Sequence, residues 1–215
     1  MLKELRRQVC ELNQALLKNG LVVWTMGNVS GLDRERGLVV IKPSGVEFEK
    51  LTPENMVVTD LEGLTVEGDL RPSVDLDNHL YLYNNDHSIG GVTHTHSSYA
   101  TAFAAVGRPV PPVLSSMADE FGGEIPCTPY VGNQADHIGR AILDARTRAP
   151  AVLVKNHGVF TFGPTPEAAL KAAVMAEDAA RTVYLALSLG EPQILSDEQI
   201  APWWDRYHGR YGQNK

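Results

Sequence analysis

Residues 91–96 read Gly-Val-Thr-His-Thr-His, and this short segment says more about the 215-residue chain than any other. Its β-branched residues, preceded by Ile89, predict a strand inside a sheet rather than at its edge. Side chains alternate along a strand, so His94 and His96 project from the same face and their nitrogens can converge on one ion. The alternative, two solvated histidines on an exposed face, fits a bare His-x-His motif equally well.

A third histidine favours the metal interpretation. His157 occupies the turn 155–158 between two apolar runs, 151–154 and 159–162, which both predict strands. Three histidines are a sufficient protein set for a catalytic divalent metal with open coordination positions. Of the other histidines, His79 is predicted at a solvated or core-edge position of a helix. Loop or amphipathic settings predict solvent exposure for His87, His137 and His208.

Helices and strands are predicted on both sides of this segment. Apolar spacing and capping residues predict helices over 2–19, 76–83, 98–106, 135–146, 166–189 and after 196. Short apolar or β-branched runs predict strands at 38–41, 57–59, 64–66, 91–96, 125–127, 151–154 and 159–162. We therefore expect an α/β fold, a single layered domain over residues 1–215 with a mostly antiparallel sheet covered by helices.

Composition restricts the class of protein. Hydrophobic residues make up 43% and charged residues 21%, which is an ordinary globular balance. The formal net charge of −7 argues against a nucleic-acid partner, because phosphate binding needs a basic face. Two cysteines, Cys10 and Cys127, fit a reducing compartment. With no visible targeting segment or membrane span, we expect a cytoplasmic protein that binds no membrane.

Three turns carry small hydrogen-bond donors: 27–30, 42–45 and 71–73. Each follows or ends a strand-like run. Backbone N–H groups, hydroxyls and the charge of Lys42 are what a phosphate monoester needs, although each turn by itself is a common type. Together with a metal trio they predict an anionic substrate held by local donors.

Two aspartates accompany these turns. Asp75 precedes the helix at 76–83, where it is either an N-cap or a metal ligand or acid/base group. Asp119 lies in the polar, glycine-rich segment 115–123 between a helix and a strand, where it is expected to be a loop carboxylate. Residue type alone leaves both roles open.

In this order, the motifs resemble the class II aldolase/adducin family over about residues 3–213. They are Gly27-Asn28-Val29-Ser30, Lys42-Pro43-Ser44-Gly45, Pro72-Ser73-Val74-Asp75, His94-Thr95-His96, Ala118-Asp119, Asn156-His157-Gly158 and Tyr211-Gly212-Gln213. Within the family the chain is most similar to the L-ribulose-5-phosphate 4-epimerases. In fuculose-phosphate aldolases a glutamate acid/base matches Asp75, so aspartate favours the epimerase branch.

The resemblance implies a site and an assembly. It implies a divalent metal, most simply Zn²⁺ with Mn²⁺ or Co²⁺ as alternatives, held by Asp75, His94, His96 and His157. It implies Asp119 and Tyr211 as catalytic acid/base groups that reach the site of a neighbouring subunit in a homotetramer. The substrate would be a phosphorylated keto-sugar, with substrate-binding positions at Gly27, Asn28, Ser44, Gly45, Ser73 and Val74 and the charge of Lys42 nearby.

The implied reaction inverts carbon 4 of a 2-keto pentose phosphate by breaking and re-forming the C3–C4 bond. Two departures leave the sugar open: Val74 replaces a serine and Met117 replaces a histidine of the epimerase pattern. A sugar-phosphate aldolase or a related dehydratase is the main alternative. A non-enzymatic adducin-like scaffold is disfavoured because all three histidines are retained.

Overall fold

A seven-stranded sheet runs through the part of the chain that the computed structural model describes, residues 1–212. Its strands are β1 (Asn28–Asp33), β2 (Leu38–Ile41), β3 (Val57–Asp60), β4 (Thr65–Glu67), β5 (Gly91–Thr95), β6 (Ala151–Val154) and β7 (Gly158–Gly163). They pair in the order β4-β3-β2-β1-β5-β7-β6, and every one of these pairs is antiparallel. The predicted α/β fold with an antiparallel sheet is confirmed.

Helices cover both faces of the sheet. Within residues 1–212 they are α1 (Lys3–Lys18), α2 (Leu76–Asn85), α3 (Ser98–Ala105), α4 (Ser115–Phe121), α5 (His137–Ala145), α6 (Pro166–Leu189) and α7 (Asp197–Arg210). One face packs against α2 and α5, and the other against α1, α3 and α6. None of the described helices is both long and apolar enough to span a bilayer.

Alternation along the strands divides the core into these two layers. Val39 and Ile41 of β2 point toward α2, whereas Val40 between them packs with α1. In the same way Phe160 and Phe162 of β7 join the α2/α5 layer. Each fully buried side chain of this kind stabilises the fold by about 1.5–3 kcal/mol relative to exposure.

The long helix α6 begins where predicted and packs unusually close to the sheet. The hydroxyl of Thr165 accepts a hydrogen bond from the N–H of Ala168, and Pro166 occupies the first turn. A Cβ on Gly91 would lie 2.4 Å from the Cα of Pro166. Only glycine therefore permits the start of α6 to pack on β5, the strand that carries His94.

Three local predictions were wrong. The segment 27–30 is not a turn, because β1 begins at Asn28. Asp119 does not lie in a loop but on α4. Residues 125–127 form only isolated bridges, to Val110 and Leu153, because Pro126 has no N–H to donate to a ladder.

Candidate metal centre

The structure brings the three predicted histidines together at one end of the central strands. His94 is in β5, His96 lies one residue beyond the end of that strand, and His157 is in the turn between β6 and β7. The Nε2 atom of His94 is 3.0 Å from Nε2 of His96 and 3.2 Å from Nε2 of His157. Two nitrogens that share a tetrahedral zinc ion are about 3.3 Å apart, so this spacing suits one ion.

The protonation of His94 also suits a metal. Its Nδ1 lies 2.9 Å from the carbonyl oxygen of Val159, which can only accept, so Nδ1 carries the proton and Nε2 presents its lone pair. Burial lowers the pKa of His94 to about 3, and it lowers the pKa of His96 and His157 as well. Neutral imidazoles with converging lone pairs are the ligand form for a divalent cation.

Asp75 lies beside this trio but is not a member of the close nitrogen cluster. It occupies the N-cap position of α2, yet its side chain makes no capping hydrogen bond. Instead its Oδ2 accepts a 2.7 Å hydrogen bond from Nδ2 of Asn28. Burial by itself would raise the pKa of Asp75, but His94, His79 and the Asn28 amide outweigh it and hold that pKa low. The carboxylate is therefore ionised and faces the histidines.

All eleven predicted metal and substrate residues line one cavity of about 370 Å³. They are Gly27, Asn28, Lys42, Ser44, Gly45, Ser73, Val74, Asp75, His94, His96 and His157. The donors come from the start of β1 and from the turns after β2 and before α2, which the bridge between Pro43 and Pro72 holds side by side. Three segments that are separated in sequence thus form one wall next to the histidines.

Lys42 supplies the only lysine or arginine charge among the residues that line this cavity. Its side chain is buried, with Nζ donating to the carbonyl oxygens of Thr25 and Pro43 and lying 4.9 Å from the centre of the Phe48 ring. Burial lowers the pKa of Lys42 to about 8, and Asp75 opposes that shift only in part. A buried ammonium with only carbonyl partners favours an anion at this position.

Gly27 fixes the entry to the cavity wall. Its φ of +92° lies in the region that only glycine adopts easily, and a Cβ there would lie 2.8 Å from the carbonyl oxygen of His94. The wall can therefore approach β5 closely only with glycine at position 27.

Some residues at the site were missed by sequence reasoning. Thr25, Met26 and Asn133 also line the cavity, and their loop settings gave no signal for this. The carboxylate of Glu177 accepts from the N–H groups of Tyr99 and Ala100 at 2.9 Å, so α6 caps α3 directly after His96. This cap holds the segment in which His96 lies.

His79 differs from its prediction. It is fully buried rather than solvated, and its Nδ1 lies 2.7 Å from Oγ of Ser30. It is buried because its ring faces the sheet, where it meets Ser30 of β1 and lies edge-on to Phe160 of β7. His87, His137 and His208 are exposed, as predicted.

Asp119 and Tyr211 lie away from the cavity within the chain. Asp119 forms an ion pair with Arg206 of α7 at 3.6 Å, and its Oδ1 is buried without a partner among the described residues. Tyr211 follows α7 and is 57% exposed, and its ring lies beside that of Tyr207 in a tilted arrangement. The packing of α4 against α7 puts both in one region of the surface. The remaining residue of that predicted motif, Gln213, lies outside the described residues.

A family model for the class II aldolase and adducin N-terminal domain matches residues 7–184. The chain belongs to the class II aldolase and adducin family. The match contains all the residues that line the cavity, so the histidine cluster and the donor wall are parts of the class II aldolase domain itself.

Solved structures of this class II aldolase fold superpose closely. An L-fuculose 1-phosphate aldolase matches with a TM-score of 0.90 and 27% identity, over 95% of this chain and 96% of that one. The L-fuculose-1-phosphate aldolase of Thermus thermophilus matches with a TM-score of 0.72 and 25% identity, over 86% of this chain and 97% of that one. A sugar-phosphate aldolase of Thermotoga maritima shares the fold, with a TM-score of 0.73 and 19% identity over 89% of this chain and 98% of that one.

Proposed function

We propose that this class II aldolase-family protein is a metal-dependent 4-epimerase that interconverts L-ribulose 5-phosphate and D-xylulose 5-phosphate. One observation carries the proposal: a single cavity combines three converging imidazoles with a wall of hydroxyl, amide and lysine donors. The first group suits a divalent cation, and the second suits a phosphate. The activity would belong to cytoplasmic pentose phosphate metabolism and arabinose catabolism.

Inversion at carbon 4 needs bond cleavage, because the C4 hydrogen is not adjacent to the C2 carbonyl and cannot be removed by simple enolisation. A divalent cation held by His94, His96 and His157, most simply Zn²⁺, would act as a Lewis acid toward the C2 and C3 oxygens. Loss of the C4 hydroxyl proton breaks the C3–C4 bond, which forms an aldehyde at C4 and leaves the electron pair of the bond on the C3 side. After the aldehyde fragment rotates, C3 attacks the other face of its carbonyl carbon, and a proton returned to the C4 oxygen completes the inverted product.

The donor wall has a specific task in this reaction. Asn28, Ser44, Gly45 and Ser73 would hold the phosphate of the aldehyde fragment, with Lys42 neutralising its charge. A fragment held by its phosphate can rotate its aldehyde group and present the other carbonyl face to C3 without leaving the cavity. Val74 lines the same wall and is 76% exposed, so it would contribute its backbone and an apolar contact rather than a hydroxyl.

Inversion requires one proton-transfer group on each side of the fragment. We propose Asp119 and Tyr211 for these roles. Since both lie on the α4/α7 surface and away from the cavity of their own chain, they would serve the cavity of a neighbouring subunit in a homotetramer. The domain formed by residues 1–215 would then be one structural unit, but a complete catalytic site would need residues from two subunits.

Asp75 favours the epimerase over the aldolase. In the fuculose-phosphate aldolases that the sequence resembles, the matching glutamate transfers a proton. Here Oδ2 of Asp75 is held by Asn28, and the shorter aspartate has less reach into the cavity. A fixed, ionised carboxylate is better suited to the role of a fourth metal ligand than to that of a proton donor.

An aldolase of the fuculose-phosphate type is the second candidate. Its support is the 27% identical L-fuculose 1-phosphate aldolase, which covers 95% of this chain. Such an enzyme would release the aldehyde fragment that an epimerase retains. A dehydratase of the same family, and a scaffold without activity, have only the shared fold in their favour.

Product analysis tests the proposal. Protein loaded with Zn²⁺, Mn²⁺ or Co²⁺ is incubated with L-ribulose 5-phosphate, and the products are separated. Formation of D-xylulose 5-phosphate as the main product supports the epimerase. Free glycolaldehyde phosphate with dihydroxyacetone as dominant products would replace it with the aldolase. No conversion by metal-loaded protein would contradict both for this sugar.

A further inference from the structure

The ladder between β1 and β2 stops at a point where its register would allow one more pair. Its last pair joins Ser30 to Ile41, so the next would join Val29 to Lys42. That pair does not form, because β2 ends at Ile41. The two backbones therefore separate at Lys42, a residue that lines the cavity.

Val29 directs its backbone groups to the side of β2, where the ladder has ended. Successive residues of a central antiparallel strand point these groups to opposite neighbours. The N–H of Leu32 donates to the carbonyl oxygen of Gly90, on the side of β5. Val29 lies three positions before Leu32, so its N–H and C=O point the other way. Val29 is fully buried, and leaving these groups without partners would cost free energy.

The side chain of Asn13 on α1 supplies both partners. Its Oδ1 accepts a hydrogen bond from the N–H of Val29 at 2.8 Å, and its Nδ2 donates to the carbonyl oxygen of Val29 at 3.0 Å. Nδ2 also donates to the carbonyl oxygen of Val9 at 2.8 Å. Asn13 is fully buried, and its amide makes the two bonds that a strand residue opposite Val29 would make. A helix side chain thus takes the place of the Lys42 backbone.

The backbone of Lys42 has a different partner. Its carbonyl oxygen accepts a 2.9 Å hydrogen bond from the N–H of Ser73, and the N–H of Ser44 donates to the carbonyl oxygen of Arg71 at 2.9 Å. These two bonds join segments 42–45 and 71–73 into the donor wall of the cavity. The N–H of Ser73 therefore occupies the carbonyl oxygen that the N–H of Val29 would use if the ladder continued.

We propose that Asn13 is a positioning residue of the donor wall: by binding both backbone groups of Val29, it ends the β1–β2 ladder and leaves the carbonyl oxygen of Lys42 to Ser73. Without Asn13, the N–H of Val29 competes for that oxygen, and extension of the ladder draws Lys42 toward β1 and away from Ser73. The consequence for phosphate binding rests on the proposed function. The competition between the two N–H groups is a property of the folded chain without metal or substrate.

Hydrogen exchange at the Ser73 amide tests this competition. Metal-free, full-length wild type, Asn13→Leu and Asn19→Leu are compared by mass spectrometry with fragmentation to single residues. Leucine is close to asparagine in size but cannot form the hydrogen bonds, and the exposed Asn19, directly after α1, is the matched control. The amide of Leu153 in β6 is the reference, because a general loss of stability would speed its exchange as well.

We expect the Ser73 amide of Asn13→Leu to exchange at least about tenfold faster than in wild type, with Leu153 unchanged. Asn19→Leu should match wild type at both amides. If Asn13→Leu does not fold, Asn13→Ala replaces it in the same comparison. The proposal would be overturned if Ser73 exchanged at the wild-type rate in the folded variant, or if Ser73 and Leu153 were accelerated equally.

Asn13→Asp tests rescue by a conservative change. Burial favours the neutral carboxyl, which can accept from the N–H of Val29 and donate to its carbonyl oxygen as the amide does. We therefore expect slow exchange at Ser73 to return in Asn13→Asp. Exchange as fast as in Asn13→Leu would contradict the proposal, because the bonds to Val29 would then not be what protects Ser73.

Kinetics with L-ribulose 5-phosphate test the consequence for the site. In Co²⁺-loaded Asn13→Leu we expect KM to rise by about 10–100-fold, more than any fall in kcat, because hydrogen bonds to a charged phosphate are lost. Co²⁺ affinity should stay at the wild-type value, since the three histidines lie on β5 and in the turn between β6 and β7 or directly beside them.

The two experiments separate this role from the proposed function. An unchanged KM in a variant whose Ser73 amide exchanges fast would overturn the role of Asn13 in phosphate binding. If wild-type protein binds Co²⁺ but does not convert L-ribulose 5-phosphate, the proposed function fails for this sugar. The exchange rates at Ser73 then still decide whether Asn13 maintains the contact between Lys42 and Ser73.

Discussion

The Nε2 atoms of His94 and His157 lie 3.2 Å apart, although 63 positions separate these residues in the chain. The contact exists because β5 and β7 are neighbours in the sheet, with His94 paired to Phe160 just beyond the turn that holds His157. The His94 ring stacks on the Phe160 ring with centroids 4.2 Å apart. Sheet register, rather than local sequence, thus places the third histidine.

Removing one imidazole should disable metal binding. We expect His157→Asn to lower the affinity for Zn²⁺ or Co²⁺ by more than about 100-fold, beyond the loss that outer hydrogen-bond partners cause. Competition with a chromophoric chelator measures the affinity. His137→Asn, at an exposed position, is the matched control and should bind as wild type does. Tight binding by His157→Asn would remove His157 from the ligand set.

Asp119→Asn should separate metal binding from turnover. Because Asp119 lies on α4, outside the cavity of its own chain, its loss should leave metal affinity unchanged. Loss of a general acid/base group should lower kcat by about 10²–10⁴-fold. Asp144→Asn, an exposed position on α5, is the control. Normal turnover by Asp119→Asn would show that another group transfers the proton.

Mixing two inactive variants tests whether the site is shared between subunits. Asp119→Asn and His96→Asn proteins are dissociated together and reassembled. If each site takes histidines from one chain and Asp119 from the next, about a quarter of the sites in a random mixture are intact. Recovered activity near that level is expected. Activity that stays at the level of the unmixed variants would place both residues in the same chain's site.

Lys42 should make substrate binding sensitive to alkaline pH. Its pKa is lowered by burial to about 8, so the charge that attracts phosphate is lost above that pH. We expect KM to rise between about pH 8 and pH 10 in wild type and to be high and nearly flat in Lys42→Met. Lys18→Met, at an exposed position, should behave as wild type does. A flat KM in wild type would contradict this role.

The same pKa shift has a defined effect on stability. An unfolded lysine keeps its proton up to about pH 10.5, whereas folded Lys42 releases it above about pH 8. Between these values the unfolded state binds more protons, so this group's contribution to stability rises with pH. The free energy of unfolding of wild type in urea, measured relative to that of Lys42→Met, should therefore rise from pH 8 to pH 10. A fall of that free energy difference over the same range would contradict the lowered pKa of Lys42.

Gly27→Ala should disturb the site through the backbone. An added Cβ meets Val22 Cγ1 at 2.7 Å and the His94 carbonyl oxygen at 2.8 Å, at a φ of +92°. We expect a loss of about 1–3 kcal/mol in unfolding free energy together with weaker metal binding. Gly123→Ala, with open space around it, should cost much less. Equal stability of the two variants would refute the close approach.

Sequence periodicity predicted most of the fold, and its failures have physical causes. Strands with continuous apolar runs, such as β2 and β6, were predicted at their observed bounds. The central strand β1 was missed because its sequence, Asn-Val-Ser-Gly-Leu-Asp, has low strand propensity and forms only through pairing with β2 and β5. Tertiary pairing overrode local preference there.

The site follows the same division. Strand alternation predicted that His94 and His96 share a face, and motif order grouped the donors that line the cavity. The burial of His79 follows from its place on the α2 face that carries Leu76, Leu80 and Tyr83, a periodicity that indicates a core position. The lining position of Asn133 depends on how a distant loop packs, and no local pattern reveals it. Contacts between distant segments therefore account for what local patterns do not show.

Metal stoichiometry tests the central claim most directly. Full-length protein, stripped with a chelator and titrated with Co²⁺, is followed by its visible absorption, which reports nitrogen ligation and geometry, with His96→Asn measured in parallel. We predict one tightly bound ion per chain with a tetrahedral spectrum in wild type and loss of that spectrum in His96→Asn. The account would be contradicted if wild-type protein took up no Co²⁺, or if the tetrahedral spectrum persisted in His96→Asn.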